Sequence, residues 1–150
     1  MNRRSALFSA LAIASLIAPR MGRAAALPPV AIYRNPGCSC CEGWAKCMTA
    51  AGFQVSIEDD PNLDARRDSL KIPAGLASCH IALADGYAFE GHVPPADIAK
   101  FLDERPTGTI GLAVPGMPMG APGMGPEGSG GPYEVLLIAE NAATTVYARH

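Results

Sequence analysis

Three thiols fall within four residues in the stretch Cys38-Ser39-Cys40-Cys41. An apolar run at 30–33 precedes them, Asn35-Pro36-Gly37 interrupts the chain, and residues 42–51 have a helical pattern. The thiols are therefore predicted to lie at a strand-to-helix turn. The exposed N–H groups of a helix N-terminus stabilise a thiolate and lower the pKa of a thiol. The stretch indicates a reactive or metal-binding site, since neighbouring cysteines at a turn cannot all point into a core.

Three further residues could complete such a site. Cys79 stands directly before a predicted strand, His80 is its first residue, and His92 follows the next strand in Gly91-His92-Val93-Pro94. Cys79 is predicted to be a ligand or redox partner, with a buried unreactive cysteine as the alternative. The alternation of a strand could point His80 away from the site. His92 lies in a loop, where a histidine is as often a surface residue as a ligand.

Cys47 needs a geometric argument of its own. It follows Cys40 by seven residues, or two helical turns, so both thiols share one helix face. They are nevertheless about 10 Å apart along the axis, at 1.5 Å per residue. One ion cannot bridge that distance. Cys47 is therefore a core cysteine, a ligand in a multinuclear cluster, or part of an outer site.

Met117, Met119 and Met124 lie in a stretch rich in glycine and proline, without helical or strand spacing. Thioether ligands select Cu(I) over Zn(II), although methionine also fills gaps under loops. Thiolate, imidazole and thioether groups together favour a Cu(I) site that could hold more than one ion. Zinc is the lesser alternative because it would leave the methionines unexplained. An iron–sulfur cluster is disfavoured by the spacing of the cysteines.

The first 26 of the 150 residues are typical of an export signal. A basic start, an apolar run at 5–18 and Ala24-Ala25-Ala26 predict cleavage after Ala26, by the Sec or the twin-arginine route. The apolar run is too short for stable membrane insertion. We expect residues 27–150 to form one periplasmic domain, where the odd number of cysteines, five, leaves at least one thiol unpaired, bound to metal or paired between chains.

Charge excludes one class of partner. Four of the twelve basic residues lie in the leader, so eight remain against fourteen acids and the mature chain has a net charge of −6. Binding to nucleic acid is disfavoured because no basic patch could displace the counterions of phosphate.

The elements that position these residues alternate along the chain. Strands are predicted at 30–34, 53–58, 80–84 and 87–91, and helices at 42–51, 63–70 and 96–104. Asp85-Gly86 favours a two-residue hairpin turn. This order, with cysteines at the first strand-to-helix turn, is that of a thioredoxin-like α/β fold, a mixed sheet flanked by helices. In such a core, Cys79 and His80 lie beside the cysteine turn.

After this core the composition changes. Residues 111–132 are predicted to form a long Met/Gly/Pro-rich loop, and 134–139 with 144–148 a C-terminal β-hairpin. Long loops in small domains usually have a function.

Four motifs together resemble a known family, the exported bacterial copper-resistance proteins of the CopG type. They are residues 33–44 with the Cys-x-Cys-Cys turn, Ala77-Ser78-Cys79-His80, Glu90-Gly91-His92-Val93-Pro94, and residues 111–118 with Pro122-Gly123-Met124. The resemblance implies a thioredoxin-like fold, a periplasmic location, copper binding and a role in copper tolerance. It also implies Cys38, Cys40, Cys41 and Cys79 as the ligand or redox set. Family members often have histidine where this chain has Cys47.

Our first hypothesis is a periplasmic Cu(I)-binding protein, whose partners are copper ions and other periplasmic copper-handling proteins. The rival is a thiol–disulfide oxidoreductase, in which one cysteine of the triplet attacks a substrate disulfide and a neighbour resolves it. The two can be combined, because a disulfide among these thiols would release the metal. A module held together only by disulfides is less consistent with three cysteines in four residues.

Overall fold

Seven strands form one mixed sheet in the computed structural model, which describes residues 26–126 and 129–150. The strands are β1 (Val30–Arg34), β2 (Val55–Asp59), β3 (His80–Ala84), β4 (Tyr87–Glu90), β5 (Thr109–Ala113), β6 (Glu134–Ala139) and β7 (Thr144–Arg149). The α-helices are α1 (Ser39–Ala50), α2 (Leu63–Ser69) and α3 (Pro95–Glu104), and a 3₁₀ turn covers Ala74–Leu76. The predicted leader, 1–26, lies outside the described residues except for Ala26. No described helix has the length and apolar character needed to cross a membrane.

The order of the strands across the sheet is β2-β1-β3-β4-β5-β6-β7. β1 and β2 run parallel and are connected by α1, and β3 pairs antiparallel with β1. β3 and β4 form a hairpin whose turn residues, Asp85 and Gly86, both have positive φ. The predicted mixed α/β class is confirmed. β2 begins at Val55, two residues later than predicted.

Helices cover both faces of the sheet, because successive side chains of a strand point to opposite sides. Ala82 and Ala84 of β3 pack in one apolar cluster with residues of α1 and α3. Ile81, the residue before Ala82, packs in a second cluster with Leu63 of α2. The sheet is thus packed on both faces, by α1 and α3 on one and by α2 on the other.

The prediction that residues 111–132 form a continuous loop is wrong at its start. Residues 111–113 belong to β5, which lies parallel to β4 and antiparallel to β6. A glycine at position 111 argues against a strand in the sequence, but in the structure this strand has room only for glycine there. A Cβ atom built there would lie 1.7 Å from the carbonyl oxygen of Ala88. The rest of the stretch, as far as the structure describes it, contains neither helix nor strand.

The close approach at Gly111 leads to a stability prediction. Gly111→Ala should lower the free energy of unfolding by about 2 kcal/mol or more, because β4 and β5 must separate to admit the methyl group. Gly75→Ala is the matched control, since its added Cβ meets no atom within 4 Å. Chemical denaturation of both variants measures the difference, and equal stability of the two would contradict the assignment of β5.

Candidate metal centre

The cysteine turn connects β1 to α1 more tightly than the sequence suggested. The helix begins at Ser39, three residues earlier than predicted, and Cys38 is its N-cap residue. Cys40 and Cys41 therefore lie in the first helical turn. Cys38 and Cys41 are joined by a disulfide, while Cys40 is a free thiol. Arg34 holds the start of the helix by donating from Nη1 to the carbonyl oxygen of Cys38 at 3.0 Å.

The register of the sheet brings Cys79 to this turn. Arg34 of β1 pairs with His80 of β3, so the residues next to them, Asn35 and Cys79, also meet. The amide of Asn35 donates to the carbonyl oxygen of Cys79 at 3.1 Å. Cys40 Sγ lies 3.5 Å from Cys79 Sγ and 3.4 Å from Cys38 Sγ. The predicted proximity of Cys79 to the cysteine turn is confirmed.

Two histidines surround the other side of Cys79. His92 Nε2 lies 3.4 Å from Cys79 Sγ, and His80 Nδ1 lies 3.7 Å from it. Both imidazoles are fully buried, and His80 Nε2 has no hydrogen-bond partner within the described ranges. The ligand atoms form two groups, each within 4.8 Å: the sulfurs of Cys38, Cys40, Cys41 and Cys79, and the set Cys79, His80 and His92. Cys79 belongs to both.

Burial decides the protonation of these groups. It lowers the pKa of His80 to about 3, with the charges of His92 and Arg67 acting in the same direction. It also lowers the pKa of His92, although the hydrogen bond to Pro122 opposes this. Both imidazoles are therefore neutral at neutral pH, which is the form that binds metals.

The pKa of the Cys79 thiol is shifted upward, in contrast to those of the two histidines. Burial, and then the neighbouring Cys40, raise the pKa of Cys79 to about 11. The expected influence of a helix N-terminus does not lower it, since Cys79 lies directly before β3 and not at the start of a helix. A bound cation would reverse the balance, because a coordinating thiol loses its proton.

The loop after β5 closes over the centre. Its Pro122 carbonyl accepts a hydrogen bond from His92 Nδ1 at 2.7 Å. A carbonyl can only accept, so Nδ1 carries the proton and Nε2 presents its lone pair towards Cys79. Gly123 lies against the first half of α1, where a Cβ atom would approach the backbone nitrogen of Trp44 to 2.3 Å. The loop thus sets the tautomer of one candidate ligand.

Trp44 forms an apolar wall of the centre. Its side chain is fully buried, its Nε1 donates to the carbonyl oxygen of Val93 at 2.8 Å, and its ring centroid lies 4.5 Å from that of His80. The indole thus covers one side of the two buried histidines' pocket with apolar surface.

The remaining predicted site residues lie outside the two groups or on the surface. Cys47 belongs to neither group and is half-buried on α1 rather than part of the core. Met117 and Met119 are 53% and 57% exposed, and Met124 is partly buried. Of the predicted site residues, the structure therefore brings six together: the three cysteines of the turn, and Cys79, His80 and His92.

The sequence analysis missed Arg67 and Glu90. Arg67, on α2, and Glu90, at the end of β4, form a buried ion pair beside Ser78. A signal was present, because the alternation of β4 puts Glu90 on the same side as buried Ala88. A carboxylate on an inward face needs a charged partner.

Four cysteine sulfurs and two neutral imidazoles at one end of a mixed α/β sheet define a class, the small α/β proteins with a cysteine- and histidine-lined candidate metal centre. Comparison with solved structures names the family. Two structures, both called copper resistance protein CopG (form 1 and form 2), are 34% identical to this chain, with TM-scores of 0.77 and 0.76. Each match covers 83% of this chain and 98% of the other. The chain belongs to the family of copper resistance protein CopG.

Other comparisons add less. The family model described as a protein of unknown function, DUF411, matches residues 76–124, which include Cys79, both buried histidines and the loop as far as Met124. The comparison with curated proteins gives no significant match.

The contact of Gly123 with α1 can be tested separately from its backbone conformation. Gly116 and Gly123 both have positive φ, at 69° and 82°, but only at Gly123 would a Cβ atom meet another part of the chain. Gly123→Ala should push the loop from α1 and expose residues 117–126 to limited proteolysis. Gly116→Ala, which has the same backbone cost, should leave cleavage near that of the parent protein. Equal cleavage of both variants would show that the loop is not held there.

Proposed function

We propose that this protein binds Cu(I) at the cysteine and histidine centre and thereby contributes to copper resistance. The observation that carries the proposal is the position of Cys79, within 3.5 Å of both Cys40 Sγ and His92 Nε2. Thiolates and neutral imidazoles together suit a soft monovalent ion. The names of the two related structures agree with this choice of metal. Zn(II) is the lesser alternative, since the same donors also bind zinc.

The centre could hold more than one copper ion. A thiolate sulfur has several lone pairs, and Cys79 is the one residue common to both ligand groups. In this proposal Cys79 bridges an ion held by the cysteine turn and an ion held by His80 and His92. His80 would offer its Nδ1, which lies 3.7 Å from Cys79 Sγ, as a donor for the second ion.

The methionines have a separate role in the proposal. Met117 and Met119 are exposed, so their thioethers can meet an incoming ion before it reaches the buried thiols. Met124 follows the loop segment that contacts His92 and α1. The loop would therefore collect Cu(I) and deliver it. Cys47, outside both groups, would serve at most as an outer site.

The fold and the cellular location are part of the same proposal. The succession β1-α1-β2, with a cysteine turn between β1 and α1 and a β3–β4 hairpin beside β1, supports a thioredoxin-like domain over residues 27–150. We propose that the leader exports this domain to the periplasm, where it exchanges copper with other copper-handling proteins. The pattern of residues 1–26 supports the export.

Copper binding is tested with reduced protein under anaerobic conditions. Competition with bicinchoninate should show high-affinity Cu(I) binding with a ratio above one ion per chain. Cys79→Ser should weaken binding at least tenfold, because it removes a donor from both groups. Cys47→Ser is the matched control and should bind as the parent does.

The same assay separates the roles of the loop and the metal. Replacement of the three loop methionines by leucine, which conserves volume, should slow loading while leaving the final affinity within about threefold. Absence of Cu(I) binding by the parent protein, or tighter binding of Zn(II) than of Cu(I), would refute the proposal.

The disulfide between Cys38 and Cys41 favours one second candidate, a thiol–disulfide oxidoreductase. Oxidation of these two thiols takes two ligands away from the four-thiol group, so redox state and copper content would be linked. In the exchange, the thiolate of one cysteine would attack a substrate disulfide, and the second cysteine would displace the reduced substrate.

Insulin reduction distinguishes the two candidates. If copper binding is the main function, metal-free protein with dithiothreitol should reduce insulin no faster than dithiothreitol alone. Acceleration that disappears in Cys38→Ser and in Cys41→Ser, and persists in Cys47→Ser, would instead assign the oxidoreductase activity.

A further inference from the structure

The buried pair of Arg67 and Glu90 makes more contacts than an ion pair requires. Arg67 Nε and Nη2 each donate to one carboxylate oxygen of Glu90 at 3.0 Å. The side chains are 6% and 0% exposed. Arg67 Nη1 reaches outward to Asp64 at 2.6 Å, where the partner is almost fully exposed. The pair thus connects α2 to the end of β4 in a dry environment.

The same two side chains form hydrogen bonds with the backbone immediately before Cys79. The amide of Ser78 donates to Glu90 Oε1 at 2.6 Å, and the carbonyl oxygen of Ser78 accepts from Arg67 Nη2 at 2.5 Å. That carbonyl belongs to the peptide group that connects Ser78 to Cys79. Rotation of this peptide would carry Cys79 Sγ away from its neighbours. Both backbone polar groups of Ser78 are therefore held by charged partners.

Stability alone does not explain such an arrangement. Two buried charges are costly to remove from water, and apolar residues of similar size often give equal or greater stability. Residues 77–79 lie outside any helix or strand, so neighbouring strand hydrogen bonds do not hold the peptide before Cys79. Charged hydrogen bonds are strong and directional, which suits them to positioning.

We infer that Arg67 and Glu90 are positioning residues that hold Cys79 Sγ between Cys40 and His92. Cys79 is the one thiol of the centre that does not come from the cysteine turn, so its place depends on how its own segment is held. Its Sγ must stay within 3.5 Å of Cys40 Sγ and 3.4 Å of His92 Nε2. The consequence for copper affinity rests on the proposed function, whereas the placement of the sulfur does not.

The test removes both charges together, so that neither is left buried and unpaired. In Arg67→Met/Glu90→Met the fold should persist, with a melting temperature near that of the parent. The dissociation constant for Cu(I) should rise ten- to hundredfold, as for other residues that orient metal ligands. Asp64→Asn is the matched control, because it removes only the exposed contact of Arg67, and it should bind Cu(I) as the parent does.

A second measurement needs no metal. Fully reduced protein is treated briefly with diamide, which accepts two electrons and two protons for each disulfide formed, and the disulfides are identified by mass spectrometry. In the parent, Cys40 and Cys79 are close enough to cross-link. The double variant should lose most of this product. The Cys38–Cys41 disulfide should form at an unchanged yield, because both residues lie in one turn of chain.

Arg67→Lys provides a variant that retains the buried charge. A lysine ammonium can pair with Glu90 but cannot reproduce the planar, two-sided contact with Glu90 and Ser78. Like the double variant, Arg67→Lys should raise the dissociation constant for Cu(I) and lower the yield of the Cys40–Cys79 disulfide. If the double variant does not fold, these two results for Arg67→Lys decide whether Arg67 positions Cys79.

The outcomes separate the inference from the function on which it rests. Loss of the Cys40–Cys79 product in a folded variant supports positioning, even if the parent fails to bind Cu(I). An unchanged yield of that product in a folded variant overturns the inference, even if the parent binds Cu(I) tightly.

Discussion

The antiparallel pairing of β3 with β1 is the constraint on which the centre depends. With Arg34 opposite His80, the residue before β3 and the residue after β1 meet, and the amide of Asn35 bonds to the carbonyl of Cys79. A slip of one residue would turn every side chain of β3 to the other face of the sheet. The apolar clusters on both faces oppose such a slip, so the packing of the core also determines the geometry of the thiols.

The centre combines groups that burial leaves uncharged until a cation arrives. Its imidazoles are neutral, and the raised pKa of Cys79 keeps that thiol protonated. Metal binding would then release protons, which makes affinity dependent on pH. The Cys38–Cys41 disulfide adds a second dependence, on redox state. While this disulfide is closed, Cys40 and Cys79 are the two thiols left in the four-sulfur group, and the group of Cys79, His80 and His92 keeps its donors.

The surroundings of the centre come from distant parts of the chain. The loop supplies the carbonyl of Pro122, which sets the tautomer of His92, and Gly123 packs on α1. Arg67 and Glu90 hold the backbone on the opposite side of Cys79. The candidate metal centre is therefore assembled from the cysteine turn and the segments that flank β3 and β4, with hydrogen bonds from both α2 and the loop.

Local sequence patterns predicted the cysteine turn, the helices, most strands and the residues that could bind metal. These properties depend on spacing and on residue type, which can be read without knowing distant contacts. β5 was missed because Gly111 is explained only by the carbonyl of Ala88 across the sheet. The ion pair of Arg67 and Glu90 was missed because its partners are separated by 23 residues. Only the tertiary structure decided which cysteine pairs with Cys38 and that Cys79 belongs to both ligand groups. Both depend on distances between atoms that the packing of the chain sets.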